Sequence, residues 1–146
     1  MSDVDRAVEF FRSGCACSQA IAGTYGPRYG LDEDLAMRLS AGFGSGMRMG
    51  ETCGAVTGAF MVLGLASCRK QCRTAAERQP ACDAVTAFAA EFRRRHGTLV
   101  CRELLGCDVS TPEGAAAARE QGLFKTRCVD IVRGAAELLE EIQPGA

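Results

Sequence analysis

Nine cysteines are the residues of this chain best suited to chemistry. No two of them have the Cys-x-x-Cys spacing, which weighs against a thioredoxin-type dithiol and against zinc ribbons or fingers. An odd number also cannot be paired fully within one chain. No secretory signal is visible at the start of the sequence, so we expect a cytoplasmic protein with reduced thiols. Cysteines in that setting bind metals, perform redox chemistry or pack as small hydrophobic residues.

Four of the cysteines share a position relative to the predicted helices. Cys17, Cys53 and Cys128 each lie just inside a predicted helix N-terminus, and Cys101 opens a short helix. Helix N-termini present free N–H groups and a partial positive charge, which favour anionic sulfur. Four such ends brought together would suit an anionic iron–sulfur cluster. They would equally suit two redox-active dithiol pairs, and each cysteine alone fits a small buried hydrophobic residue.

The elements that must position these cysteines are predicted to be helices. Ala, Leu, Glu and Arg dominate the sequence, and no alternating strand pattern is present. We predict a single all-α domain over residues 1–146, a compact bundle of about six to eight helices around a central apolar helix.

The central helix is predicted from Cys53 to about Ala66, with Thr52 as its cap. The uncharged stretch here is close to the lower limit for a membrane span, but its glycines and hydroxyl residues favour a buried core helix. Gly54 and Gly58 lie four residues apart, so one stripe of this helix lacks side chains. We expect another backbone to approach closely along that stripe.

Capping residues and proline set the expected limits of other helices. Asp3 is expected to cap the first helix, and a later helix is expected to turn Leu35, Ala36 and Leu39 inward. A polar and irregular stretch is expected to end at Pro80, where a long helix begins and continues to His96.

The glycine-rich segment 42–50 could be mistaken for a phosphate-binding loop. It lacks the Gly-Lys-Ser/Thr ending, follows a helix rather than a strand, and contains a single cation, Arg48. We expect instead that its glycines let the backbone pass close to Cys53 and to whatever Cys53 binds.

Several of these segments resemble the C_GCAxxG_C_C family of redox-active bacterial proteins. The resemblance is carried by Thr52-Cys53-Gly54-Ala55-Val56-Thr57-Gly58, the 14–20 region with Cys17, the 42–47 loop, Cys101-Arg102-Glu103-Leu104-Leu105-Gly106, and Cys128. It implies a redox function with a bound prosthetic group such as an iron–sulfur cluster. It also implies that the four family cysteines are Cys17, Cys53, Cys101 and Cys128.

The other five cysteines depart from the family pattern, and their role stays open: Cys15, Cys68, Cys72, Cys82 and Cys107. Cys15 lies two residues from Cys17 and could substitute for it. Cys68 and Cys72 could meet across one helical turn, but the irregular segment around them does not favour that pair. Cys82 and Cys107 are expected to lie outside the redox centre.

Together these observations predict an electron-transfer protein. We expect an iron–sulfur cluster, [2Fe–2S] in type, held by Cys17, Cys53, Cys101 and Cys128, and a redox partner protein. The alternatives are a thiol–disulfide protein using the same cysteines, a structural Zn(Cys)4 site, and a helical interaction protein whose cysteines only pack. With a net charge of −1, the chain offers no basic field for nucleic acid. No membrane partner is expected, and a homodimer is compatible with the sequence.

Overall fold

The computed structural model describes residues 1–68 and 70–143. It confirms the predicted all-α fold, since the described residues form eight α-helices and no β-strand. The helices are α1 (Asp3–Arg12), α2 (Cys17–Tyr25), α3 (Glu33–Ser40), α4 (Gly54–Ser67), α5 (Ala75–His96), α6 (Cys101–Leu105), α7 (Pro112–Glu120) and α8 (Arg127–Ile142). Within the described residues, no helix is long and apolar enough to span a bilayer.

Helix α4 occupies the centre of the fold and packs against α2, α5 and α8. Its two glycines allow the approach of α2. A Cβ atom at Gly58 would lie 2.9 Å from the carbonyl oxygen of Ser18, and one at Gly54 would lie 3.1 Å from the Ser18 nitrogen. The predicted close approach along this stripe is therefore confirmed, and it brings the N-terminal end of α2 beside the N-terminal end of α4.

Two predicted caps are wrong by one residue. Ser2, not Asp3, caps α1, because its hydroxyl accepts a hydrogen bond from the Asp5 N–H. Cys53, not Thr52, is the N-cap of α4. Thr52 is extended instead and forms an isolated antiparallel bridge with Val100.

The predicted inward face of α3 is also wrong in part. Leu35 and Leu39 are 47% and 58% exposed, and only Ala36 of the predicted set is fully buried. Helix α3 packs against α2, and its fully buried residues are the small Ala36 and Ser40.

The long helix α5 begins earlier than predicted. Thr74 and Glu77 form a reciprocal capping box, and the helix starts at Ala75 with Pro80 inside it. Proline inside a helix removes one backbone hydrogen bond. Here the capping box of Thr74 and Glu77 satisfies free N–H groups at the start of the helix, so α5 begins before Pro80.

The segment before α4 contains a left-handed turn. Ser45, Gly46, Met47 and Arg48 all have φ between 54° and 63°. Left-handed backbone costs about 1–2 kcal/mol for a residue with a side chain. Gly46 has a further reason to lack one, since a Cβ atom there would lie 2.9 Å from the Cβ of Cys101. The turn is thus pressed directly against the start of α6.

Candidate redox site

The structure brings Cys17, Cys53, Cys101 and Cys128 to one cavity of about 240 Å³. These residues come from four separate helix ends, and all four line the same space. Apolar side chains complete most of the wall: Phe11, Leu104, Leu105, Val109, Phe124 and Ile131. The expected convergence of the four family cysteines is therefore found, and their role as cofactor ligands stays a prediction.

Each of the four cysteines lies at the start of a helix, as predicted. Cys17 is the first residue of α2, and Cys101 is the first residue of α6. Cys53 caps α4, and Cys128 is the second residue of α8. Four helix N-termini, each with a partial positive charge, therefore border one cavity.

A short antiparallel contact fixes two of these cysteines relative to each other. The N–H of Cys53 donates to the Leu99 carbonyl at 2.8 Å, and the N–H of Cys101 donates to the Glu51 carbonyl at 2.6 Å. Arg102 reinforces this contact by donating to the Gly50 carbonyl and to the Glu51 carboxylate. The backbone thus sets the spacing between Cys53 and Cys101 independently of any bound group.

Cys17 and Cys53 form the most intimate pair at the site. The Cys17 thiol donates a hydrogen bond to the Cys53 sulfur, which lowers the pKa of Cys53. The backbone N–H groups of Ala55 and Val56, at the start of α4, lower it further. The same hydrogen bond, together with burial, raises the pKa of Cys17. Within this pair, Cys53 is therefore the thiol that ionises more readily.

Cys101 and Cys128 are held as neutral thiols in the absence of a bound cation. Burial is the main cause, and the nearby Cys53 charge adds to it, so that the pKa of each rises to about 12. Their side chains are 7% and 6% exposed. Only a positively charged partner at the cavity would favour ionisation of both sulfurs.

The left-handed turn forms one wall of the cavity, as expected for the glycine-rich segment. Gly44, Ser45 and Arg48 line it, and so does Gly54 at the start of α4. Gly58 does not; it faces Ser18 and Ile21 instead. Arg48 thus lies at the edge of the thiol cavity.

The four sulfurs are not grouped as a site for a single metal ion. Among residues 1–68 and 70–143, no three Cys, His, Asp or Glu side chains are grouped as one metal ion would require. A tetrahedral zinc site needs four ligands within about 2.0–2.3 Å of one ion. The four thiols line one cavity, but among the described residues they are not preformed as such a site.

Two of the other cysteines lie near the centre. Cys107 is close enough to Cys101 and Cys128 for its charge to add to their raised pKa values, but it does not line the thiol cavity, and its place outside the redox centre stays a prediction. The turn at Gly106, with φ of 72°, folds the chain back toward α6. Cys15 lines a neighbouring surface cavity with Arg12 and Lys125.

The expectation that Cys68 and Cys72 do not pair is wrong. These residues form a disulfide, with their Cα atoms 5.4 Å apart, although the segment is not helical. Cys72 has a φ of 52°, which turns the chain sharply and returns it to Cys68. Cys82 is a free, exposed thiol.

Comparison with known proteins agrees with the four-cysteine pattern. The sequence model of the family described as "Putative redox-active protein (C_GCAxxG_C_C)" matches residues 15–142. No curated protein and no solved structure gives a match. The match includes all four cysteines of the cavity and the glycines of α4 that bring them together. The chain therefore belongs to the C_GCAxxG_C_C family of redox-active proteins.

Proposed function

We propose that this protein is an electron carrier that holds an iron–sulfur cluster, [2Fe–2S] in type, through Cys17, Cys53, Cys101 and Cys128. The observation that carries the proposal is the convergence of these four thiols on one apolar cavity of about 240 Å³. Cysteine thiolates are the usual ligands of iron–sulfur clusters, and four of them complete a [2Fe–2S] site.

The surroundings of the thiols fit such a group. The cavity wall is largely apolar, while helix N-termini and Arg48 contribute positive charge. The backbone N–H groups of Ala55 and Val56, at the start of α4, help to lower the pKa of Cys53. Hydrogen bonds to ligand sulfurs, net charge and solvent exclusion are the features by which a protein sets the potential of a cluster.

The cluster, when bound, would supply reversible one-electron chemistry. The residues of the chain hold it and exclude water from it. Cys101 and Cys128 require a cationic partner to ionise, because burial raises their pKa to about 12. Binding therefore releases protons from these thiols and depends on pH. Apart from its thiols, the cavity wall formed by the described residues contains no Asp, Glu, His, Lys or Tyr side chain, which favours electron transfer over transformation of a substrate.

A thiol–disulfide function is the second candidate, and one contact favours it. The Cys17 and Cys53 thiols are paired by a hydrogen bond, so the two sulfurs are already adjacent. Oxidation would join them in a disulfide, with loss of two electrons and two protons. A Zn(Cys)4 site has less support, because the thiols are not grouped around a single ion position.

Visible absorption of anaerobically purified protein separates these functions. An iron–sulfur protein is coloured and loses its colour when acid releases the sulfide. A dithiol protein is colourless, and mass spectrometry of its oxidised form shows a Cys17–Cys53 disulfide. A zinc protein is colourless and contains zinc. Colourless protein that gains no visible band after anaerobic incubation with iron and sulfide would contradict the proposal.

A further inference from the structure

A second set of cysteines lies on the outer surface of the bundle. Cys68, Cys72 and Cys82 line one open groove of about 630 Å³, whose walls include Phe60, Met61 and other apolar residues. None of the three lines the cavity of the proposed redox centre. Helix α4 separates the two sites, because Cys53 precedes its first residue and Cys68 follows its last. A helix of 14 residues is about 21 Å long.

The sulfurs in this groove are accessible and in two oxidation states. Cys68 and Cys72 are joined in a disulfide and are partly exposed, whereas Cys82 is a free thiol and fully at the surface. The sulfurs of Cys68 and Cys72 lie 3.7 Å and 3.9 Å from the Glu77 carbonyl oxygen. That oxygen can accept a hydrogen bond from either thiol once the disulfide is reduced.

Two features favour opening of this disulfide. Cys72 is held in left-handed backbone, which a residue with a Cβ adopts only at a cost. Positive side chains are also close to the pair along the chain, since Lys70 and Arg73 are exposed within two residues of Cys72, and Arg78 lines the same groove. Positive charge stabilises the thiolate that leaves when the bond is attacked.

We propose that Cys68, Cys72 and Cys82 form a second redox site, which exchanges with dithiol reductants. A thiolate of the reductant attacks one sulfur of the Cys68–Cys72 bond, and the other cysteine leaves as a thiolate and takes up a proton. The second thiolate of the reductant then displaces the bound cysteine, which is protonated in turn. The cysteine pair gains two electrons and two protons, and the two thiols of the reductant become one disulfide.

Cys82 is the third partner of this exchange. Its thiolate can attack the bond between Cys68 and Cys72, so that a disulfide to Cys82 forms and one of the other two cysteines leaves as a thiolate. This step moves the disulfide without changing the number of electrons in the site. The groove thus holds three sulfurs among which one disulfide can move.

Redox titration of the folded protein tests the proposal. The whole chain is equilibrated in buffers of varied reduced-to-oxidised dithiothreitol ratio, alkylated, digested with trypsin and analysed by mass spectrometry. The sequence places basic residues so that Cys68, Cys72 and Cys82 fall on three separate tryptic peptides. We expect the Cys68–Cys72 link to be lost and regained reversibly, with two thiols gained per chain and an unchanged circular dichroism spectrum. A link that opens only when the chain unfolds would overturn the proposal.

Single variants test the part played by Cys82. In Cys68→Ser the original bond cannot form, and we expect oxidising buffer to produce a Cys72–Cys82 link instead. Cys82→Ser is the matched control and should retain the Cys68–Cys72 link. Cys72 and Cys82 that both stay free in oxidised, folded Cys68→Ser would show that Cys82 does not belong to the site. Neither result depends on whether the α4 N-terminal site binds a cluster.

Discussion

The Cys17 thiol donates a hydrogen bond to the Cys53 sulfur, across the contact between α2 and α4. This contact exists because Gly54 and Gly58 remove side chains from the face of α4 that meets Ser18. The adjacency of two sulfurs from distant parts of the sequence is thus produced by two glycines. Cys101 and Cys128 complete the cavity from α6 and α8.

Replacement of Cys53 by serine should remove the redox centre and preserve the fold. Serine is a favourable residue at the N-cap position that Cys53 occupies, because its hydroxyl can accept a hydrogen bond from an N–H group of the first turn. We therefore expect a folded, colourless Cys53→Ser protein, measured by circular dichroism, visible absorption and iron content. Cys82→Ser, which changes an exposed thiol outside the cavity, should retain full colour. Equal loss of iron in both variants would mean that the wrong cysteines have been assigned.

Two glycines of α4 provide a matched pair of stability variants. A Cβ atom at Gly58 would lie 2.9 Å from the Ser18 carbonyl oxygen, whereas nothing lies within 4 Å of one at Gly64. We expect Gly58→Ala to lower the unfolding free energy by about 1–3 kcal/mol through overpacking. Gly64→Ala should raise it by about 0.5–1 kcal/mol, because alanine favours the helix. The unfolding free energies of both variants are measured by urea unfolding. Similar midpoints for the two variants would refute the close α2–α4 contact.

The charge of Arg48 is expected to raise the midpoint potential of the redox centre. Arg48 lines the thiol cavity, so its loss should make addition of an electron less favourable and lower the midpoint potential. Met47→Gly is the control for Arg48→Gly, because both remove a side chain from left-handed backbone, with φ of 58° and 63°. The relieved strain, about 1–2 kcal/mol, exceeds the entropic penalty of glycine, about 0.5–1 kcal/mol.

Both variants should therefore unfold at or above the urea midpoint of the wild type. Only Arg48→Gly should lower the potential in a spectroscopic titration, and the difference should shrink at high salt. Identical potentials in Arg48→Gly and Met47→Gly would show that the guanidinium does not act on the centre.

The cofactor-free protein should lose stability as the pH rises above about 8.5, the ordinary pKa of cysteine. In the unfolded chain Cys101 and Cys128 ionise there, whereas in the fold burial raises their pKa to about 12. The unfolded state then binds fewer protons than the folded state, so the unfolding free energy falls with increasing pH. Cys53, whose pKa is lowered, acts in the opposite direction as the pH falls below its unfolded value.

Urea midpoints measured from pH 8 to pH 11 test this dependence. In a double variant with Cys101→Ala and Cys128→Ala, the urea midpoint should fall less steeply with pH than in the wild type, because the two thiols with raised pKa values are absent. The same slope in both proteins would contradict the burial of these thiols in the cofactor-free state.

The positions of the four family cysteines could be predicted because local signals place them. Capping residues, glycines and apolar spacing locate the helix starts, and the cysteines are found at those starts. The pairing of Cys17 with Cys53 could not be predicted from local signals, since it depends on how α2 packs against α4. The glycine stripe of α4 was the one signal of that contact.

The features that could not be predicted depend on backbone conformation without a strong residue signal. The Cys68–Cys72 disulfide needs left-handed backbone at Cys72, and a cysteine gives no sign of that conformation. Two signals compete at the start of α5. Thr74 and Glu77 indicate a capping box, whereas Pro80 indicates a later start, and the structure follows the capping box.

The central claim is tested most directly by the iron and acid-labile sulfide content of the anaerobically purified whole chain, after reconstitution. A [2Fe–2S] centre held by Cys17, Cys53, Cys101 and Cys128 predicts about two iron and two sulfide per chain. Iron and sulfide should both disappear in Cys53→Ser. A reconstituted wild-type chain that contains neither iron nor sulfide, or contains zinc alone, would contradict the account.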